Sequence, residues 1–224
     1  MSYSGMPCAY DMVVYTCITG GVDDINRFMQ STPEYLDDAV FIVFMDDVTE
    51  WLNAKSNWLW RPVPTKWAHP MDTRRTSRFH KVNSHIVLPP HRYSCWIDGS
   101  LAANNGLNFR QMVSTFLREN DLATFKHPLR DCVYQELEAC LRLRKDRPEV
   151  MQAQVDGYKQ ESYPVKAGMV ETSCVLRRNC EEVSRFNSAW WREISSGSLR
   201  DQLSFNYVAR KLGFDYGVIP GCRD

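Results

Sequence analysis

The stretch Tyr93-Ser94-Cys95-Trp96-Ile97-Asp98-Gly99-Ser100 decides how this chain is read. It runs almost without polarity and then stops in a carboxylate, a glycine and a hydroxyl. So apolar a run is tolerated where a strand is covered on both faces, as in the parallel sheet of an α/β domain. In that architecture ligands lie outside the carboxyl ends of the strands, where Asp98 would stand. A carboxylate with a second oxygen ligand two positions on suits Mg²⁺ or Mn²⁺, and through the ion a diphosphate. A strand closing in an Asp-Gly turn is the plainer alternative.

On either side of this stretch strand-like and helix-like segments alternate, which predicts a mainly parallel central sheet flanked by helices. Met12 to Ile18 and Ala39 to Phe44 read as buried strands, with a short one around Trp58 to Trp60. Ala123 to Lys126 and Glu171 to Leu176 read as two more. Helical patterns cover Thr76 to Val87, Phe109 to Arg118, Cys132 to Arg144, Pro148 to Lys159, the surroundings of Trp190-Trp191, and Arg200 to Leu212. Repeats, low-complexity runs and a domain linker are absent from the sequence, so residues 1–224 are expected to form one domain.

Three successive strands end in Gly or Asp on one expected sheet edge. The first is followed by Thr19-Gly20-Gly21, where glycine lets backbone approach a ligand closely, although a tight turn also uses it. The second is followed by Asp46-Asp47, suited to hydrogen bonds with a base or ribose, or to capping a helix. No G-x-G-x-x-G fingerprint accompanies them. Ahead of the central strand, Arg74, Arg75, Arg78 and Lys81 make a basic helix face. Arg78 and Lys81 lie three apart, and so side by side, where they suit a diphosphate; a solvated basic face is the alternative.

The second half carries three polar clusters: Lys126-His127-Pro128-Leu129-Arg130-Asp131-Cys132, Gly168-Met169-Val170-Glu171, and Ser196 to Gln202. In the last, Ser198 suits a helix N-cap with Asp201 in the capping-box position, which leaves Arg200 and Gln202 unexplained.

Composition narrows the choice of function. Lys+Arg and Asp+Glu are both 27, so the formal net charge is zero, which argues against a nucleic-acid partner and a polybasic membrane surface. The eight cysteines show no C-x-x-C spacing and read as reduced, structural side chains. No charged-then-apolar leader and no span-length apolar run is present, so the sequence reads as cytoplasmic and without a transmembrane segment.

Taken in order, Tyr15-Thr16, Thr19-Gly20-Gly21-Val22-Asp23, Phe44-Met45-Asp46-Asp47, Trp96-Ile97-Asp98, His127-Pro128-x-Arg130-x-Cys132-x-Tyr134-x-Glu136 and Arg200-Asp201-Gln202-Leu203-Ser204-Phe205 carry a resemblance. Together they resemble a glycosyltransferase-like family, once a domain of unknown function, that includes plant enzymes of pollen turgor and seed mucilage. The likeness runs from about Val13 to Leu212. It implies a GT-A-like nucleotide-sugar-binding fold with a metal-assisted diphosphate site. The plant members are Golgi proteins with an anchor, and no anchor is visible here.

The expected reaction is transfer of a hexose-type sugar from a nucleoside-diphosphate donor to a glycan or other hydroxyl acceptor. Thr19, Gly20, Gly21, Asp46 and Asp47 would hold the nucleoside. Asp98 and Ser100 would bind Mn²⁺ or Mg²⁺, with Arg78 and Lys81 on the diphosphate. Asp201, Gln202 and Glu171 would line the sugar pocket, Asp201 facing the anomeric carbon with retention of configuration. His127 and Arg130 would serve acceptor or diphosphate. The family's fold usually carries Asp-x-Asp, whereas this chain has Asp98-Gly99-Ser100. Serine is a neutral, weaker ligand, so metal affinity would be lower, or Arg78 and Lys81 would replace the ion. An inert nucleotide-sugar or carbohydrate-binding module is the second reading, and a nucleotidyltransferase the third.

Overall fold

Two-sided burial organises the sheet. In β1 (Tyr10–Ile18), Val13, Tyr15 and Cys17 pack into one apolar cluster while Met12, Val14 and Ile18 pack into another. That is the period-2 alternation of a strand with protein on both faces. The computed structural model describes residues 9–21, 39–46, 59–69, 71–101 and 108–221.

Around β1 lie β2 (Ala39–Met45), β3 (Leu59–Pro62), β4 (His91–Ile97), β5 (Leu122–Lys126), β6 (Val170–Arg178) and β7 (Gly217–Ile219). They form one seven-stranded sheet in the order β3-β2-β1-β4-β6-β5-β7. The β1–β2, β2–β3, β1–β4 and β5–β7 pairs are parallel, and β6 runs antiparallel to β4 and β5. The expected mainly parallel sheet is therefore present with one strand reversed. The reversal has a functional consequence. It brings the start of β6, with Glu171 and Thr172, to the edge where β4 ends at Asp98.

The β5–β6 ladder is interrupted on the way to that edge. Thr124 stands opposite Val175, but the next residue, Phe125, stands opposite Glu171, so residues 172–174 have no partner on β5. Bulges of this kind re-aim side chains beside functional sites. Thr124 fastens this one, its hydroxyl lying 3.1 Å from the Glu171 carbonyl and 2.7 Å from that of Cys174.

Helices α1 (Thr73–Val82), α2 (Ser84–Val87), α3 (Phe109–Phe116), α4 (Val133–Arg142), α5 (Pro148–Gln160), α6 (Glu181–Ser196) and α7 (Asp201–Leu212), with a single 3-10 turn at Thr65–Trp67, complete the described elements. The single helix expected over Thr76 to Val87 is two helices that meet at Asn83. It starts earlier than expected because the Asp72 carboxylate accepts the Arg75 N–H at the N-cap. β7, only three residues long, carries too little pattern to be read in advance. The strand expected around Trp58 begins at Leu59, and Trp58 lies outside the described residues. Cys17, Cys95, Cys132, Cys140, Cys174 and Cys180 are all free thiols, as their apolar settings indicate. Among the described residues no helix is long and apolar enough to cross a membrane.

An aromatic cluster fixes α6 against α7. Phe186, fully buried, stacks on Phe214 with centroids 4.5 Å apart and meets Phe205 edge-on at 5.0 Å. Trp190 meets Phe205 edge-on as well and donates its indole N–H to the Asp201 carbonyl at 2.9 Å. The core thus reaches directly to the first residue of α7. Phe186→Ala is expected to lower the unfolding free energy by about 3–5 kcal/mol, the usual cost of emptying an aromatic site. Denaturant unfolding checks this, and a loss under about 1 kcal/mol would show that the cluster does not support α7.

Candidate active site

A cavity of about 660 Å³ opens at the end of the sheet where β1 and β4 finish and β6 begins. Its walls come from α1, the tip of β4, the bulge of β6, the turn after β5, α4 and the start of α7. Arg78, Lys81, Asp98, Ser100, His127, Arg130, Glu171, Asp201 and Gln202 all line it. Nine of the side chains expected from sequence alone therefore share one space.

At its base, Lys81 is 1% exposed and bound on every side. Its ammonium lies 2.7 Å from Asp201 Oδ2 and 3.2 Å from Asp98 Oδ1, and donates to Thr172 Oγ at 3.1 Å. The Thr172 hydroxyl in turn donates to Asp201 Oδ2 at 2.8 Å, and Arg78 Nε lies 3.5 Å from Asp201 Oδ1. Asp98 Oδ1 also accepts the Trp96 indole N–H at 2.6 Å. All three ammonium protons thus have oxygen partners, which is the condition under which a buried charge is tolerated. Burial alone would raise the Asp201 carboxyl. The charges of Lys81, Arg78 and Arg200 and the Lys81 hydrogen bond outweigh it, holding Asp201 well below the usual carboxylate range.

The backbone of Lys81 is anchored from beneath. Its carbonyl accepts the Tyr15 hydroxyl at 2.9 Å and Arg177 Nη2 at 3.1 Å, and Arg177 Nη1 reaches the same Tyr15 oxygen at 3.1 Å. Arg75 ties the other end of α1 to the last turn of α6 and the loop before α7, donating to the carbonyls of Ile194 and Ser195 and to that of Gly197. That loop is held again by Asp146, which accepts the Ser198 hydroxyl at 2.7 Å and the Leu199 N–H at 2.8 Å. Ser198 is accordingly not the N-cap of α7. The cap position is Arg200 without a side-chain bond, and Asp201 is the first helical residue. A carboxylate there is favoured by the helix dipole, in addition to its ion pairs.

A second charged group forms the facing wall. Glu136, 2% exposed, accepts Arg130 Nε at 2.5 Å; His127 Nε2 lies 3.5 Å and Arg200 Nη2 3.8 Å from its carboxylate. Arg200 also donates to Gln202 Oε1 at 2.6 Å, and Gln202 returns an N–H to the Val170 carbonyl at 3.2 Å. Burial lowers the His127 pKa, with Glu136 opposing, so its imidazole is mainly neutral at pH 7.

The residues expected to hold the nucleoside lie outside the cavity lining. Gly20 N–H donates to Asp46 Oδ2 at 2.9 Å and the Thr19 hydroxyl to the Thr73 carbonyl at 2.8 Å. Gly20 and Gly21 both have positive φ, and a Cβ on Gly20 would stand 2.6 Å from Thr73 Oγ1. The glycines are thus required by a turn packed on the start of α1. Thr19, Gly20, Gly21 and Asp46 make a cluster joined to the cavity through α1 without lining it, and Asp47 lies outside the described residues. Among the wall residues without a role from sequence, Thr172 and Glu136 carry the most contacts to the charged groups. Thr172 owes its place to the bulge, which has no sequence signature. Glu136 did have one: a carboxylate among Val133, Leu137 and Cys140 on the apolar face of α4.

A divalent cation would have Asp98 and Ser100 as its ligands. Asp98 is already engaged by Lys81 and Trp96, and Ser100 is neutral. At about 5 Å from the ammonium, a divalent ion would be repelled by about 7 kcal/mol at an effective dielectric of about 20. Asp201, the carboxylate beside Asp98 in this cluster, is committed to Lys81 and Arg78. Among the described residues the only group of three acidic, Cys or His side chains with metal-like convergence is Asp121, Cys180 and Glu182, which does not line the cavity. The described donors therefore do not fit such an ion.

The sheet order, the reversed β6 and the polar cavity at the strand ends define an α/β fold with its candidate site at one sheet edge. The chain belongs to the family described as TOD1/MUCI70, glycosyltransferase-like domain, which it matches over residues 4–219. It is similar to the probable hexosyltransferase MUCI70 of Arabidopsis thaliana, with 29% identity over 222 residues, covering 90% of this chain and 37% of that protein. The chain thus spans well under half of that relative's length. Among solved structures it is similar to mouse xyloside xylosyltransferase 1, with a TM-score of 0.55, 10% identity, and coverage of 94% of this chain and 84% of that one. The bifunctional glycosyltransferase WbbM superposes with a TM-score of 0.51 and 12% identity, covering 96% of this chain and 39% of that one. The fold is GT-A.

Two stability measurements test the charge cluster. Lys81→Met is expected to destabilise the protein by about 3–5 kcal/mol, because two carboxylates lose their buried counterion. Adding Asp201→Asn to that variant should recover part of the loss; additive effects in the cycle would contradict the coupling. The pH dependence has a definite sign. The folded Asp201 carboxyl titrates below its unfolded value of about 3.9. Its contribution is then complete above that pH and fades as pH falls below it. Asp201→Asn should flatten the acid limb of stability measured between about pH 5 and pH 2, and an unchanged slope would contradict the pairing.

Proposed function

We propose that this chain is a glycosyltransferase that moves a hexose-type sugar from a nucleoside-diphosphate sugar to an acceptor hydroxyl. The observation that carries the reading is the meeting of Asp98 and Asp201 on one buried ammonium, inside a cavity that also presents Arg78, Glu171, Arg200 and Gln202. Family membership and the GT-A fold support it.

In the reaction an acceptor oxygen bonds to the anomeric carbon as the bond from that carbon to the β-phosphate oxygen breaks. The electron pair leaves with the nucleoside diphosphate, and the acceptor proton passes to that phosphate or to solvent. Charge therefore builds up on the departing diphosphate, and stabilising it is the main electrostatic task. Arg78 is assigned to that charge, with Lys81 beneath it. Asp201, kept ionised, is assigned to the anomeric carbon, where positive charge develops, with Glu171 and Gln202 on the sugar hydroxyls. Thr19, Gly20, Gly21 and Asp46, next to the start of α1, are assigned to the nucleoside. His127 and Arg130, fixed by Glu136, are assigned to the acceptor wall.

One further observation favours the alternative of an inert sugar- or nucleotide-binding module: both carboxylates are already paired with cations. A donor-hydrolysis and transfer assay over a panel of nucleotide sugars separates the readings. Turnover should fall by about 10²–10³ in Asp201→Asn, the scale of losing a preorganised electrostatic contact, while the protein stays folded. Unchanged turnover in that variant would remove Asp201 from the mechanism. Binding without turnover across the panel would favour the module.

A further inference from the structure

We infer that this site neutralises the donor diphosphate with protein cations alone, Lys81 standing as a built-in cation where a divalent metal would otherwise be needed. The inference rests on the sugar-transfer reading and specifies how that site handles charge.

Three observations carry it. The first is occupancy by the protein itself. Asp98 Oδ1 already accepts an ammonium at 3.2 Å and an indole N–H at 2.6 Å. A metal ion would have to compete with a positive charge that the fold cannot withdraw. Lys81 is 1% exposed, and its backbone is held by Tyr15 and Arg177. The second is the donor set. The residue two positions beyond Asp98 is Ser100, which supplies a neutral oxygen, and the remaining carboxylate of the cluster, Asp201, is bound to Lys81 and Arg78.

The third is the charge of the cavity. Arg74, Arg78, Lys81, Arg130, Lys145 and Arg200 line it against four carboxylates, Asp98, Glu136, Glu171 and Asp201. With His127 neutral, the lining carries two positive charges in excess. A nucleoside-diphosphate sugar brings two negative charges on its bridging phosphates, so the ligand and the lining balance without an ion. A metal-dependent wall has the opposite bias, since its carboxylates must attract a dication before the diphosphate arrives. As the sugar bond breaks and the diphosphate gains charge, Arg78 is placed to take it up by charge-assisted hydrogen bonds.

Calorimetry with UDP, GDP and ADP tests this on chelator-treated protein, in EDTA and then in millimolar Mn²⁺ or Mg²⁺. At least one nucleotide is expected to bind in EDTA, with a dissociation constant that either ion changes by less than about fivefold. Arg78→Ala should weaken that metal-free binding by about tenfold or more, as loss of a charge-assisted hydrogen bond does. Binding that requires the ion, or that it strengthens by about fivefold or more, would overturn the inference and leave the transfer reading intact. So would metal-free binding that Arg78→Ala leaves unchanged. Absence of binding for every nucleotide under both conditions would instead overturn the transfer reading, and this inference with it.

Discussion

The buried ammonium of Lys81 joins parts of the chain that have nothing else in common. Asp98 comes from the tip of β4, Thr172 from the bulge of β6, and Asp201 from the start of α7, and all three meet at one nitrogen. An ammonium this buried exists only if its protons are all accepted, and the carboxylates around it are tolerated only if it stays. Each member thus fixes the others. The strand ends, the bulge and the helix start have to arrive together for any of the charges to be stable there.

That mutual requirement explains features of the fold that would otherwise seem arbitrary. Reversal of β6 puts the beginning of a strand, with its polar Glu171 and Thr172, among the ends of the parallel strands. Loss of three rungs of the β5–β6 ladder turns Thr172 toward α1 and α7, and Thr124 holds the distorted strand in that shape. Trp190 and its aromatic neighbours fasten the Asp201 backbone to the core, while Arg75 and Asp146 clamp the loop that leads into it. Rigidity of this kind suits a site that acts by preorganised charge. It also gives the cavity two distinct walls, one built on Lys81 and the other on Glu136.

Much of this was legible in the sequence, for reasons that differ by residue. Strands buried on both faces announce themselves, and Tyr93 to Asp98 marked both the sheet and its functional edge. Arg78 and Lys81 could be set side by side because three-residue spacing has one meaning on a helix. Their partners could not be named from spacing, since Asp201 is remote in sequence and reaches Lys81 only through sheet order. The direction of β6 has no local signature, and neither has a bulge fixed by a threonine on the neighbouring strand. In sequence the pair Gly20-Gly21 suits a ligand approach or a tight turn, and the structure shows the turn, with φ positive at both and Gly20 packed on Thr73. Ser198 fitted a capping pattern, but Asp146, approaching from another part of the chain, holds its hydroxyl instead.

The most direct test is a crystal structure of the protein with a bound nucleoside diphosphate. If the account is right, the two phosphates lie in the cavity beside Arg78 and the turn at Asp98–Ser100, with Asp201 bordering the space left for the sugar. A nucleotide seated on any other surface, with the ring of charges around Lys81 untouched, would contradict it.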